Sequence, residues 1–225
     1  MKTKYLFLEF SIIFIFLVIP PLFQGPTDGN SVNIANGGRF SLMIAVQGLI
    51  SAALIYQDSR THFLDESGRV RKFSTGLSIL IWTPISLGLA MLSQAAFTGL
   101  SMLIGTEGSP IPVFPESPGQ WTVYFLNLSI GVLFEEAIYR LFLPDALISL
   151  TGRRKKLRIP CEAACIAIFA LSHRYMGIMA VMNAAVCGTI FRIARIRSGR
   201  IWAPTAAHLI YNAFQTFALY FLGGR

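Results

Sequence analysis

Seven apolar stretches, separated by short polar segments, constrain the fold of this chain more than any other feature. The first three cover residues 5–23, 40–56 and 73–104. The other four begin near 120, at 159, near 177 and at 201, and the last one ends at 222. A helix of about 20 apolar residues can cross a bilayer, because it satisfies its own backbone hydrogen bonds there. The charged fraction of 13%, against about 25% in soluble domains, fits the same class. The sequence therefore predicts an all-α, polytopic transmembrane bundle of about seven spans.

The first apolar stretch has a competing interpretation as a cleaved signal peptide. Residues 5–23 are long enough to span a membrane, whereas the apolar core of a signal peptide is about 7–15 residues long. The segment Val18-Ile19-Pro20-Pro21 also lacks the small-x-small pattern of a cleavage site. We therefore expect a retained helix.

Basic residues alternate between the segments that join the apolar stretches. With seven spans and the N-terminus inside, 15 of the 19 Lys and Arg residues fall on the inner face. This bias follows the positive-inside rule and predicts a multi-pass protein of a bacterial plasma membrane, or an equivalent membrane, with a cytoplasmic N-terminus and lipids as partners. The net charge of +8 also fits nucleic-acid binding, but that function does not require the alternation, so no nucleic-acid partner is predicted.

The fourth apolar stretch contains three charged residues, Glu135, Glu136 and Arg140. An ionisable group at such depth costs about 3 kcal/mol on insertion scales, so it faces protein or water and usually marks function. On an α-helix Glu136 and Arg140 are i and i+4, which predicts an internal ion pair. Glu135 points about 100° away from that pair, so we expect it to have no local partner and to take a proton from water.

Two further apolar stretches carry isolated polar side chains. His173 ends the fifth stretch, and His208 and Asn212 lie four residues apart on one face of the seventh. Each would be costly alone in a membrane, so we expect the three helices to pack around one polar, hydrated cavity. Residues 1–119, with about three spans, are then an N-terminal helical region, and residues 120–225, with about four, are a catalytic core.

This set of side chains supports hydrolysis of an acyl bond by water. Glu135, assisted by His173, can deprotonate the water, while His208 and Asn212 can donate hydrogen bonds to the developing oxyanion. No cofactor is favoured. A Zn²⁺ ion held by Glu135, His173 and His208 is the metal-dependent alternative, with one coordination position left for water.

Two other classes of function remain open at this point. Intramembrane Glu, His and Arg side chains also form ion relays, which would suit a small ion-coupled transporter. A membrane protein that confers immunity by binding, without turnover, is the other alternative.

The charged and polar residues also match the motifs of a known family. Glu135-Glu136-x-x-x-Arg140, Phe169-x-x-x-His173 and His208-x-x-x-Asn212, in this order, resemble the three motifs of the CPBP intramembrane proteases, the CAAX-protease and bacteriocin-processing (Abi) family. The resemblance implies an all-helical membrane endopeptidase, whose eukaryotic members trim the C-terminal tripeptide from prenylated proteins. It implies catalytic roles for Glu135 and His173, an oxyanion pair of His208 and Asn212, and support from Glu136 and Arg140. We therefore expect a protein or peptide substrate with a hydrophobic or lipidated tail.

Overall fold

The computed structural model describes residues 2–24, 31–33, 38–61, 76–105 and 111–222. Seven long helical segments dominate this part of the chain and confirm the predicted all-α bundle. They are α1 (Lys2–Ile13, continued by a π-helical turn Phe14–Val18 and by Ile19–Leu22), α2 (Leu42–Thr61), α3 (Gly76–Ile104), α4 (Pro118–Glu135, continued by a π-helix Glu136–Phe142 and by Leu143–Leu150), α5 (Lys155–Leu171), α6 (Ile178–Ser198) and α7 (Trp202–Leu222).

Four helices of the described residues are long and apolar enough to cross a membrane. They are α1, α2, α3 and α6, with spans at Lys4–Leu22, Leu42–Ser59, Gly76–Ile104 and Ile178–Ser198. The polar side chains of the candidate site lie on the other three, α4, α5 and α7. The protein is therefore an integral membrane protein in which a set of apolar helices accompanies the helices that carry polar groups.

Helix α2 is longer than the sequence predicted. The apolar stretch ends at residue 56, but the helix continues to Thr61. Asp58, in this last turn, accepts a hydrogen bond from Nη2 of Arg195 on α6, with an Oδ2 to Nη2 distance of 3.3 Å. The ion pair holds the polar turn against the bundle, which a pattern of apolar residues cannot reveal. The rest of the loop predicted before residue 73, and the first three residues of the predicted third span, lie outside the described residues.

A pair of three-residue strands was not predicted. Strands β1 (Ser31–Asn33) and β2 (Ile111–Val113) pair in parallel, with Ser31 opposite Ile111. Both lie in segments that the sequence assigned to loops, after α1 and after α3. Strands of this length carry too little pattern to be distinguished from a loop.

Helix α6 occupies the centre of the bundle and packs against α3, α5 and α7. The sequence predicted a close-packing face on this helix formed by Gly177, Ala180, Ala184, Ala185 and Gly188. At Gly188 the approach is tight, since an added Cβ would lie 3.0 Å from Cδ1 of Phe169 on α5. Gly177 instead precedes the helix, where its φ of +95° suits glycine. The small residue at 188 brings Phe169 into the interior, where the candidate site lies.

A polar network joins the N-terminal helices to the helices of the site. Ser93 of α3 donates to the Asn183 amide oxygen of α6 at 2.6 Å, and the Asn183 amide nitrogen donates to Gln94 of α3 and Tyr211 of α7, each at 2.8 Å. The Tyr211 hydroxyl donates to Gln94 at 2.8 Å. Hydrogen bonds between helices are favourable in a membrane interior, so this network fixes α3, α6 and α7 relative to one another.

Candidate active site

The candidate site is built on a segment of α4 that changes its hydrogen-bonding pattern. Helix α4 starts with a capping box of Ser117 and Gln120, and it is α-helical as far as Glu135. From Glu136 to Phe142 it is a π-helix, and the Leu143 N–H donates to the Ile138 carbonyl five residues earlier. Pro144, which follows, has no N–H to donate. A proline at 144 predicts from the sequence that the fourth span is disturbed there, because it removes a hydrogen bond to the preceding turn, and the structure confirms this. The assumption of 3.6 residues per turn is wrong in this segment.

Glu136 and Arg140 form the predicted ion pair. Nε of Arg140 lies 3.5 Å from Oε1 of Glu136, and both side chains are almost completely enclosed, at 2% and 0% exposure. The same Oε1 lies 2.8 Å from Nδ1 of His208 on α7. Glu136 therefore connects α4 to α7, a role that the local spacing of charges did not predict.

His208 lies between the two glutamates. Its Nδ1 faces the Glu136 carboxylate, which can only accept, so Nδ1 carries the hydrogen of this bond. Its Nε2 lies 3.8 Å from Oε2 of Glu135. The expectation that Glu135 has no partner holds within α4 but not across the bundle, because α7 brings His208 against it. Glu135 is 34% exposed, so it is the more accessible of the two carboxylates.

Two phenylalanines hold Arg140 and the histidines in place. The Arg140 guanidinium lies over the Phe169 ring at 3.7 Å and faces Phe191 of α6 at 5.7 Å. Its Nη1 and Nη2 make no hydrogen bond within the described part of the chain. Cation–π attraction strengthens when the cation is desolvated, so the aromatic rings stabilise this buried charge. The same two rings pack on His173 at 4.7 Å and on His208 at 4.9 Å, between ring centroids.

His173 lies at the end of α5 and is oriented by its own turn. Its Nδ1 lies 2.9 Å from the Phe169 carbonyl and 3.2 Å from the Ser172 hydroxyl. A carbonyl only accepts, so Nδ1 carries the hydrogen of that bond, and Nε2 of the neutral ring is left as an acceptor. The Ser172 hydroxyl donates to the Phe169 carbonyl as well, at 2.7 Å. Phe169 therefore positions His173 through both its ring and its backbone.

The turn after His173 lies within the electrostatic field of Glu135. Tyr175 lies in the 3₁₀ turn Arg174–Met176, between α5 and α6. Burial raises the pKa of its hydroxyl, and the nearby Glu135 carboxylate raises it further, so Tyr175 is neutral at ordinary pH. The field of Glu135 therefore reaches the loop that begins at His173.

Asn212 lies one helical turn after His208 on α7. It is half-buried, and its backbone carbonyl accepts a hydrogen bond from the Thr216 hydroxyl at 3.0 Å. Its side-chain amide makes no hydrogen bond with any described residue. The amide is thus available on the face that also presents His208.

The structure assembles the six predicted residues to different degrees. Glu135, Glu136, Arg140 and His208 form one continuous cluster, and His173 is linked to it through Phe169, which it shares with Arg140. The sequence did not identify Phe191 or Tyr175, because an aromatic residue on an apolar helix is typical of an ordinary core. Phe169 had a signal, since its spacing from His173 belongs to the second motif.

The donor set does not fit the zinc alternative. Among the described residues, no three His, Cys, Asp or Glu side chains form a group that could hold a metal ion. Nδ1 of His208 bonds to Glu136 and Nδ1 of His173 to Phe169, which leaves Nε2 as the nitrogen of each ring that a ligand could reach. Glu135, His173 and His208 are not part of a group of three ligands among the described residues, so the mechanism is derived without a metal.

A family model matches the part of the chain that carries the candidate site. Residues 117–214 match a family model described as "Type II CAAX prenyl endopeptidase Rce1-like". A protein of Treponema pallidum (strain Nichols), named "Uncharacterized protein", is 31% identical to this chain over 123 residues. The match covers 49% of this chain and 63% of the Treponema protein, so it spans less than two thirds of that relative. No solved structure matches this chain.

Proposed function

We propose that the protein is an intramembrane endopeptidase that uses a water molecule activated by Glu135, because residues 117–214 match the model of the Rce1-like type II CAAX prenyl endopeptidases. One observation carries the proposal. His208 lies between two carboxylates inside the bundle, 3.8 Å from Glu135 and 2.8 Å from Glu136. Such a cluster of acid and imidazole is costly in a membrane protein unless it performs chemistry.

Glu135 is the general base of the proposed reaction. Its side chain is 34% exposed, although Oε2, the oxygen that faces His208, is itself enclosed, whereas the whole Glu136 side chain is enclosed and committed to Arg140 and His208. Glu135 takes a proton from the water, and the oxygen of that water attacks the scissile carbonyl carbon. Nε2 of His173, an acceptor in the neutral ring, orients the water.

His208 and Asn212 stabilise the tetrahedral intermediate. Glu136 fixes the His208 ring through Nδ1, and in the imidazolium form Nε2 carries a second N–H that donates to the oxyanion. The Asn212 amide, one turn further along α7, supplies a second donor. Glu135 then returns its proton to the leaving amine, so the hydroxyl group of the water ends on the acyl product and its proton on the amine.

The substrate in this proposal is a protein or peptide with a hydrophobic or lipidated tail. A site between membrane helices is reached most easily by a chain that already partitions into lipid. We assign the protein to a bacterial plasma membrane with its N-terminus in the cytoplasm, in line with the basic loops of one face and with a relative from a bacterium. Residues 120–225 act as the catalytic core, and residues 1–119 support it.

The proposal is tested with purified protein in liposomes and a farnesylated fluorogenic peptide ending in a Cys-aliphatic-aliphatic-X sequence. Glu135→Gln preserves the shape of the side chain and removes the base, so cleavage should fall at least about 10²-fold. Glu116→Gln is the matched control, because the Glu116 side chain is exposed outside the long helices, and it should cleave at the wild-type rate. The same peptide without farnesyl tests whether the tail is recognised.

Two results would contradict the proposal. Undiminished cleavage by Glu135→Gln would remove Glu135 from the chemistry. Absence of cleavage by the wild-type protein, with a membrane phenotype that persists in Glu135→Gln, would favour a binding or immunity protein without turnover.

A further inference from the structure

The backbone of the π-helical segment contains one carbonyl whose usual donor is missing. The last π-type bond joins the Leu143 N–H to the Ile138 carbonyl, so the N–H of residue 144 would serve the Tyr139 carbonyl in the π pattern or the Arg140 carbonyl in the α pattern that follows. Residue 144 is proline, which has no N–H. Because an unpaired carbonyl is costly inside a membrane protein, the position calls for another donor.

Arg192 of α6 supplies that donor. Its Nη1 lies 2.6 Å from the Arg140 carbonyl oxygen. The remaining contacts of its guanidinium are with Glu162 of α5, where Nε donates to Oε2 at 2.7 Å and Nη2 donates to Oε1 at 2.6 Å. Asp145 lies 4.0 Å from Nη2. The planar group therefore joins a bidentate ion pair to a backbone hydrogen bond, which a lysine cannot do in one geometry.

The pair of Arg192 and Glu162 is enclosed rather than solvated. Arg192 is 12% exposed and Glu162 17% exposed. In the sequence, Arg192 lies in a cluster with Arg195, Arg197 and Arg200, so it was interpreted only as one more basic residue of the inner face. Enclosure of a bidentate pair fixes both side chains, so the hydrogen bond to Arg140 is held at a defined place.

We infer that Arg192, held by Glu162, is a positioning residue of the proposed active site. The inference rests on the proposed function and adds to it a residue outside the three motifs. Arg192 fixes the backbone of Arg140, the Arg140 side chain pairs with Glu136, and Glu136 holds His208 against Glu135. Loss of the bond from Arg192 loosens the π-helical segment and, through it, the alignment of base and imidazole, without touching the substrate.

A double-mutant cycle separates this role from a general effect on folding. Arg192→Lys keeps the charge near Glu162 but loses the planar fork, whereas Pro144→Ala restores a backbone N–H where the π-helical segment ends and so supports the segment independently of Arg192. In the wild-type background Arg192→Lys should lower kcat at least about 10-fold and change KM less than about 2-fold, as expected for a misaligned catalytic group. In the Pro144→Ala background the same change should cost less than about 3-fold.

The matched control is Arg197→Lys. Arg197 is an exposed arginine on the same helix, five residues further along, and its replacement should leave kcat and KM unchanged. An unchanged kcat in Arg192→Lys, or an equal loss in both Pro144 backgrounds, would overturn the assignment.

Hydrogen exchange of the amides of residues 136–143 gives a second readout that needs no turnover. Arg192→Lys should speed their exchange at least about 10-fold in the wild-type background and clearly less in Pro144→Ala. If the wild-type protein cleaves no peptide, the proposed function fails, and the exchange rates still decide the role of Arg192. Equal exchange in wild type and Arg192→Lys would show that Arg192 does not hold this segment.

Discussion

At the scale of single residues, local pairs were readable from the sequence and long-range pairs were not. Glu136 and Arg140 lie on one helix, so their spacing alone predicted the ion pair. The contact of Glu136 with His208 joins residues 72 positions apart, and it depends on how α7 packs against α4. The sequence indicated that both residues belong to a site and assigned the support of Glu135 to His173, but it did not predict that Nε2 of His208 lies 3.8 Å from Glu135.

Glu136 is completely enclosed and contacts both Arg140 and His208, so its replacement tests both contacts at once. Glu136→Gln removes the charge that partners Arg140 and holds His208, so the His208 ring loses its fixed tautomer and orientation. We expect kcat to fall at least about 10²-fold with a smaller change in KM, since loss of the carboxylate that orients a catalytic imidazole is severe in other hydrolases. Steady-state kinetics on the farnesylated peptide measure the effect. A kcat within about 3-fold of wild type would show that Glu136 has no part in orienting His208.

At the scale of elements, helix positions followed from the apolar stretches, because the bilayer sets the length of a span. The π-helix did not follow from them. Pro144 marked where α4 is disturbed, but the form of the disturbance depends on tertiary contacts of the segment, such as the hydrogen bond that Arg192 donates to Arg140. The small residues of α6 predicted that a neighbouring helix approaches it closely, but they did not indicate that this neighbour is α5 or that Phe169 makes the contact.

Gly188 tests whether that close approach serves the site. Gly188→Ala places a Cβ 3.0 Å from Cδ1 of Phe169, a ring already fixed between Arg140 and His173. We expect a loss of about 1 kcal/mol or more in the free energy of unfolding from overpacking, and a fall in kcat as Phe169 shifts. Thermal unfolding in detergent and peptide cleavage measure the two effects.

Gly99→Ala is the matched control for this change. Gly99 lies within α3, and an added Cβ would meet nothing within 4 Å, so alanine should be neutral or slightly stabilising there. Equal behaviour of the two alanine variants would show that the packing of α5 on α6 is not tight at Gly188.

At the scale of the whole molecule, the helices before residue 119 contact the site helices through polar side chains as well as through apolar packing. The network of Ser93, Gln94, Asn183 and Tyr211 joins α3, α6 and α7, and Tyr211 immediately precedes Asn212. Overall composition predicted the class of protein and the number of long helices. It could not predict this network, because serine, asparagine and glutamine in an apolar helix do not reveal their partners.

Asn183→Leu should uncouple the two halves of the bundle. The change removes four hydrogen bonds, one of them from the Cys187 thiol, and leaves the buried Ser93 hydroxyl of α3 without its partner on α6, while Tyr211 keeps its bond to Gln94. We therefore expect a loss of about 1–2 kcal/mol in the free energy of unfolding. Thr189→Val is the control, because the exposed Thr189 hydroxyl bonds only to the Ala185 carbonyl of its own helix. Equal unfolding transitions for the two variants would mean that the network does not hold α3 to the site helices.

The central claim is that carboxylate and imidazole side chains of α4, α5 and α7 hydrolyse the substrate with water alone. Its most direct test is cleavage of the farnesylated peptide by protein that has been stripped of metal with a chelator and checked by metal analysis. The account predicts wild-type cleavage by the stripped protein and at least a 10²-fold loss in stripped Glu135→Gln. Cleavage that disappears on stripping and returns with stoichiometric Zn²⁺ would contradict it.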